Sequence, residues 1–243
     1  MLAWLWFKIW NALNFLYGFF QWGSMRRLSS LKDVYNGKRC FIVGNGPSLR
    51  SEDLRLLHKQ GEYTFACNSL IKLFDEIPFA PSFYFAQDNK IILDNKELIN
   101  KYTGTKFIKA HYAHRYHLPD VTYYNMLLNP NGFSKNLPLV VYSGQTVVYS
   151  MIQFATYMGF KEIYLIGVDC NYSPSNTTIT ADSYFDKRLF NSNRTYSPPE
   201  VDTNLVAYEQ ARKECEKRGI KILNASRGGR LEIFRRVNFD TLF

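Results

Sequence analysis

The chain has only four cysteines, Cys40, Cys67, Cys170 and Cys215, and no two of them form a CxxC pair. Such isolated cysteines read as small buried apolar residues in a reducing compartment. Sequons at Asn176, Asn193 and Asn224 would be used only on a secreted protein, which the cysteine usage argues against. There is no long Lys/Arg block despite a net charge of +9, and neither a helix-turn-helix pattern nor an aromatic RNA-binding signature. Nucleic acid therefore ranks behind a nucleotide and an anionic membrane surface as the anionic partner. Internal repeats are missing as well. With 243 residues and 46% hydrophobic content, the chain can bury one α/β core with a short N-terminal appendage, but not two full domains.

That appendage, residues 1–22, is dense in Trp, Phe and Leu, yet it lacks a basic stretch before the apolar run and a small-x-small cleavage site. Lys8, Asn11, Asn14, Gly18 and Gln21 share one side of a helical wheel, opposite a wide aromatic and aliphatic face. Residues 1–27 are expected to form an amphipathic helix lying on a membrane surface, helped by Arg26, Arg27, Lys32, Lys38 and Arg39, at about 1 kcal/mol per basic residue. Packing on the domain or on a second copy ranks next, and a spanning helix last. The rest of the protein is expected in the cytoplasm, at the inner face of the membrane.

The body begins with Lys38-Arg-Cys-Phe-Ile-Val, an apolar strand that breaks abruptly at Gly44-Asn45-Gly46-Pro47-Ser48. Glycines there would let the main chain approach a ligand and aim N–H groups at phosphate, with Ser48 adding a hydroxyl. On its own, the stretch reads as a tight strand-to-helix turn. Ser51 is expected to cap a helix that stops at Gly61.

Further strands end at Asn68, at Gln87 and Asp88, and at Asp169, each with a polar side chain at the carboxyl edge where open α/β sheets bind ligands. The amide at Asn68, where dinucleotide-binding units place Asp or Glu, and Leu49 in place of a third glycine count against NAD. Ser143 and Gly144 precede a long apolar helix, Val147 to Met158, closed by Gly159. They form a second loop at a helix N-terminus where an anion is favoured. His111, His114 and His117 lack a completing ligand set, so no metal site is expected. Residues 171–200 are too long and polar for an ordinary connection and suggest a lid. Thr203 to Arg218 reads as a surface helix and Ile220 to Asn224 as the closing strand. The alternation predicts a Rossmann-like, three-layer α/β domain over residues 36–243 with a mainly parallel sheet.

Four stretches, Cys40-Phe-Ile-Val-Gly-Asn-Gly-Pro-Ser-Leu49, Ser143-Gly-Gln-Thr146, Met158 to Asp169 with Asn171-Tyr172, and Asn224 to Phe234, together closely resemble a bacterial family of polysaccharide-cluster proteins. That family carries the name of the archaeal 6-hydroxymethylpterin diphosphokinase (MptE-like). It is similar in turn to bacterial CMP-sialic-acid-dependent sialyltransferases, whose fold is a variant of the GT-A type, and to motility-associated transferases that glycosylate flagellin.

The resemblance implies a glycosyltransferase that moves a sugar from a CMP-sugar to a glycan or glycolipid acceptor, inverting and metal-independent. Gly44 to Ser48 and Asn68 would hold phosphate and ribose, Gln87 and Asp88 lie near nucleotide contacts, and Ser143 and Gly144 match a cytidine-binding loop. Tyr172 falls close to a tyrosine that hydrogen-bonds the leaving phosphate, and Asp169 closes the same edge. The sialyltransferases carry a general-base histidine in the lid, whereas every histidine here precedes Leu118. Asp182 or Asp186 is the expected substitute. Two other functions fit the same residues: an ATP-dependent diphosphotransferase with Mg²⁺ near Asp88 or Asp169, and a non-catalytic nucleotide-sugar-binding subunit. A homo-oligomer is compatible with either.

Overall fold

The computed structural model describes residues 22–111, 113–116, 118–171, 179–193 and 200–243. One sheet contains eight strands: β1 (Arg39–Val43), β2 (Tyr63–Cys67), β3 (Phe83–Ala86), β4 (Thr105–Lys109), β5 (Val121–Tyr124), β8 (Glu162–Ile166), β9 (Lys221–Asn224) and β10 (Arg235–Arg236). Two more strands, β6 (Met126–Leu128) and β7 (Val141–Ser143), pair with each other alone. The helices are α1 (Trp22–Ser30), α2 (Ser51–Lys59), α3 (Asn89–Asp94), α4 (Lys96–Lys101), α5 (Ala113–Tyr116), α6 (Val147–Tyr157) and α7 (Val201–Glu216).

The strand order is β10-β9-β8-β1-β2-β3-β4-β5, and every pairing is parallel. The chain runs outward from β1 to β5, returns through α6, and runs outward again from β8 on the other side of β1. Its direction therefore switches between β1 and β8, and the carboxyl ends of these strands flank the crevice where open α/β sheets take ligands.

A parallel sheet covered on both faces needs apolar residues on both sides of each strand. β1 supplies them by alternation. Cys40 and Ile42 join Phe65, Phe85, Phe107, Tyr124 and the inner face of α6 in one core layer, while Phe41 and Val43 join Leu54, Leu57, Leu70 and Ile166 in the other. The first layer is aromatic, with Phe85 and Phe154 edge to face at 4.8 Å. Cys40, Cys67 and Cys215 are buried free thiols within this packing, whereas Cys170, expected to be buried with them, is half-buried. Asn224 is also fully buried, with both ends of its amide bonded to Leu231 O and Ser226 N, so its sequon has no room for a glycan.

Two local expectations are corrected. Arg50, not Ser51, occupies the cap of α2, because the Asp53 carboxylate accepts the Arg50 N–H at 3.1 Å and Ser51 is already helical. β9 does not close the sheet, since Arg235 and Arg236 add β10 outside it. The β6–β7 pair was not foreseen, being too short to show a pattern of its own.

Of the segment expected to form an amphipathic helix, residues 1–21 lie outside the described residues. The part from Trp22 onward is α1, which packs on β5: the Ser24 hydroxyl accepts the Tyr123 N–H at 2.9 Å, and Leu28 is buried. Among the described residues, no helix is long and apolar enough to cross a membrane.

Candidate functional site at the carboxyl edge

The Gly44–Ser48 loop is zipped onto the end of β8. Gly44 N–H donates to Ile166 O at 2.8 Å and Gly46 N–H to Gly167 O at 2.9 Å. A Cβ on Gly44 would overlap the Gly167 carbonyl, and one on Gly46 would overlap the Asp169 carboxylate. The glycines therefore serve the close approach of two loops. Their amides, expected to face a phosphate, are already taken by β8, because a parallel ladder continues past the strand ends. Ser48 completes the junction by donating its N–H (2.9 Å) and its hydroxyl to the two Asp169 oxygens. Pro47 stands exposed at the tip.

Beside this junction, two acceptors are buried and unbonded. Asn45 directs its amide nitrogen toward Cys67 O at 3.4 Å, which leaves Asn45 Oδ1 without a partner. Asn68 closes β2 with φ +54°, in the left-handed region that Asn tolerates better than most residues, and its Oδ1 is unpaired too. A buried acceptor left without a donor costs about 1–3 kcal/mol. Two of them at adjacent strand ends leave a pair of acceptors open to a hydroxyl or amino donor.

Along the edge, Gln87 Oε1 accepts from Ser150 of α6 at 2.9 Å and lies 3.4 Å from the Tyr124 hydroxyl. Asp88, the next residue, is exposed; one of its oxygens caps α3 by accepting from Lys90 and Ile91. Lys109 closes β4 in the same row, and burial pushes its ammonium down to about 8. Asn125, after β5, holds a third unpaired buried oxygen. Sequence inspection missed Lys109 and Asn125. Only the register, which sets Lys109 opposite Tyr124, brings them to the site.

Ser143 ends β7, and its hydroxyl accepts from Gln145 N at 3.1 Å. Gly144 has no Cβ because Ala207 of α7 fills that space. Thr146 caps α6 by accepting from Val148 N. The loop before α6 is held by the buried Gln153 amide. Its oxygen accepts from Ser134 N and Tyr142 N, both at 3.0 Å, and its nitrogen donates to Tyr142 O and Tyr149 O.

The expected lid is described over residues 179–193, and Tyr172 lies outside the described residues. Phe185 N–H donates to Asn45 O at 3.1 Å, so this segment touches the Gly44–Ser48 loop. Asp182 and Asp186 flank that contact. Asp186 is engaged by the Arg188 guanidinium, which holds its carboxyl below the usual carboxylate range. Asp182 is exposed and pairs with Lys187 at 3.2 Å. Lys72 Nζ donates to Arg188 O at 3.0 Å and Leu189 is buried, which docks the segment on the turn of 3₁₀ helix after β2. Of the three clustered histidines, the side chains of His114 and His117 lie outside the described residues. Among the described residues, no cluster of three metal-ligating side chains occurs.

Residues 14–175 match the family model described as 6-hydroxymethylpterin diphosphokinase MptE-like. No curated protein is similar in sequence. Among solved structures, the MAf glycosyltransferase from Magnetospirillum magneticum AMB-1 is similar over 90% of this chain, with TM-score 0.58 and 16% identity. The match spans 38% of that protein's own length. Sialyltransferase CstII from Campylobacter jejuni, in complex with a substrate analogue, gives TM-score 0.44 at 16% identity, covering 82% of this chain and 86% of its own. A CST-II variant in complex with CMP gives 0.47 at 17%, covering 85% and 89%. The architecture is that of a glycosyltransferase-like, three-layer α/β fold.

Proposed function

The chain belongs to the MptE-like family, and from that premise we propose that it is a glycosyltransferase using a CMP-activated, sialic-acid-like sugar and delivering it to a cell-surface glycan or glycolipid. The observation that carries this proposal is the pair of unbonded buried acceptors, Asn45 Oδ1 and Asn68 Oδ1, at the carboxyl ends of β1 and β2, beside the switch point. They suit ribose hydroxyls. Ser143 and Gly144 lie in the loop that matches a cytidine-binding motif, and the fold shared with MAf supports the reaction class.

The transfer is written as an inversion. An acceptor hydroxyl attacks the anomeric carbon as the bond to the CMP phosphate breaks, CMP leaves with the electron pair, and the hydroxyl proton passes to a carboxylate. Of the two lid carboxylates, Asp182 is the better base in this scheme, because it is held by one exposed ion pair with Lys187, whereas Asp186 accepts from both the guanidinium and the main-chain N–H of Arg188. Tyr172 is assigned to the leaving phosphate on the motif resemblance alone. Residues 1–27 are assigned to the inner membrane surface, beside lipid-linked acceptors; Arg26 and Arg27 are exposed on α1 while Ser24 and Leu28 face β5.

Diphosphoryl transfer from ATP, the chemistry in the family's name, would recruit Mg²⁺ through Asp88 or Asp169. Both Asp169 oxygens accept from Ser48, and Asp88 caps α3, so a cation there would compete with bonds that hold the fold. This favours the sugar reading.

Thermal shift with CMP, CDP, UDP and ATP, each with and without Mg²⁺, tests the choice. Metal-independent stabilisation by CMP is expected, and stabilisation by ATP only with Mg²⁺ would overturn it. Turnover of a CMP-sugar then separates an enzyme from a binding subunit.

A further inference from the structure

The terminal residues of β1 to β5 are Val43, Cys67, Ala86, Lys109 and Tyr124, and Lys109 alone is charged. In the parallel register Ile108 lies opposite Ala86, which sets Lys109 level with Gln87, and Lys109 lies opposite Tyr124. Residues opposite each other share a face, so Gln87, Lys109 and Tyr124 form one row on the α6 side of the sheet.

Gln87 and Tyr124 are tied to each other, and Ser150 also donates to Gln87, but Lys109 takes part in no ion pair or side-chain hydrogen bond among the described residues. Lys109 is half-buried, and Phe107, two residues earlier on the same face of β4, belongs to the core layer that holds Phe85 and Phe154. Among the described residues, the carboxylate that acts on Lys109 is Asp88, which forms no ion pair with it and already caps α3. The neighbouring lysine of the strand, Lys106, shows the contrast. It is buried too, but its ammonium donates to Ile99 O and Tyr102 O. Lys109 is half-buried at the rim of the aromatic layer, where an ammonium without a partner is costly to keep, and an anion that arrives with a ligand would offset that cost. The second sign of a ligand is the run of unpaired buried acceptors at the same edge, on Asn68 and Asn125.

We infer that Lys109 is the counter-ion of an anionic group of the bound donor, phosphate or carboxylate, and so a specificity-determining residue of this site. The inference rests on the nucleotide-sugar reading for the ligand's identity, not for the presence of an anion. Arg227, the cation at the other end of the edge, is not available for the role, since it is paired with Asp53 at 2.7 Å and with Asp240.

Two measurements decide it. In titration calorimetry with cytidine, CMP and CMP-N-acetylneuraminate, Lys109→Met is expected to weaken CMP about tenfold or more and leave cytidine unchanged if phosphate is the partner. If carboxylate is the partner, only the CMP-sugar weakens. Lys109→Arg should restore part of the loss. Equal affinity of wild type and Lys109→Met for all three ligands, or an equal loss for all three, overturns the inference. Should the wild-type protein bind no cytidine ligand, the CMP reading fails, and the second measurement still judges Lys109. Amines are acetylated at pH 8 with and without CMP, ATP or inorganic phosphate, and sites are mapped by peptide mass spectrometry. Protection of Lys109 but not of exposed Lys101 by at least one anion supports the inference; unchanged labelling of Lys109 with all of them overturns it.

Discussion

Ser48 donates both its amide and its hydroxyl to Asp169, so a single carboxylate clasps the loop after β1 to the loop after β8 across the switch point. Asp169→Ala would leave two donors unanswered at the mouth of the site. A loss of about 1–3 kcal/mol is expected, or very roughly 2–10 °C in Tm, together with weaker nucleotide binding. Asp169→Asn can still accept one of the two bonds and should fall between. Thermal unfolding of the three proteins checks the order.

Gly144 and Gly44 are constrained by different neighbours, and this gives a rescue experiment. An added methyl at position 144 meets the Ala207 side chain, whereas one at position 44 meets the Gly167 main chain. Gly144→Ala is therefore expected to be destabilising by about 1–3 kcal/mol and to be relieved by Ala207→Gly in a double-mutant cycle. Gly44→Ala should lose more, with no side-chain substitution to relieve it.

Gln153 touches no proposed ligand, yet its amide satisfies four main-chain groups around Ser134, Tyr142 and Tyr149. Gln153→Leu keeps roughly the volume and removes all four bonds. Destabilisation of about 3 kcal/mol or more is expected by urea unfolding, because several buried groups lose their partners at once. Cytidine binding should weaken as well, since Tyr142 directly precedes Ser143.

Lys109 predicts a pH dependence of known sign. Burial lowers its folded-state pKa from 10.5 to about 8. Below about pH 8 both folded and unfolded states carry the proton, and the full burial penalty weakens the fold by about 3 kcal/mol as an order of magnitude. From about 8 to 10.5 the unfolded state holds more protons, so this contribution rises toward stability with pH. Cys40, Cys67 and Tyr124 act oppositely, because burial raises their pKa and the stability they bring is lost as pH climbs. Lys109 is therefore read from a difference: Lys109→Met should be more stable than wild type at pH 7, and the gap should shrink by pH 9.5. A constant gap would show that the lysine stays charged.

Much of the architecture was written in local pattern. Cys40 to Val43 and Ile163 to Ile166 are apolar runs too short for helices and bounded by glycine, so both read as buried strands. Thr146, with Gly159 at φ +95°, punctuates α6 at both ends. What was not legible depends on who faces whom. The glycines of the first loop look the same in sequence whether they admit a ligand or a neighbouring loop, and only the β1–β8 register reveals Gly167 against Gly44. Lys109 is hidden for the same reason: alone it is a polar residue at a strand end, and it becomes part of a site only when β4 is placed beside Gln87 and Tyr124. The convergence of Asn45, Asn68, Gln87 and Asp169 on one edge was foreseeable, because parallel strands deliver all their carboxyl ends to the same side.

The bond between Ser24 and Tyr123 has a practical meaning for handling the protein. β5 is the outermost strand of the sheet, and the amide that Ser24 receives is one that points away from β4, toward solvent or toward another chain's strand. By answering that amide and laying Leu28 alongside, α1 acts as a guard against edge-to-edge stacking. A protein shortened to begin at residue 36 would shed the guard with the hydrophobic segment and should self-associate, whereas one beginning at residue 22 keeps it and should remain dispersed in light scattering.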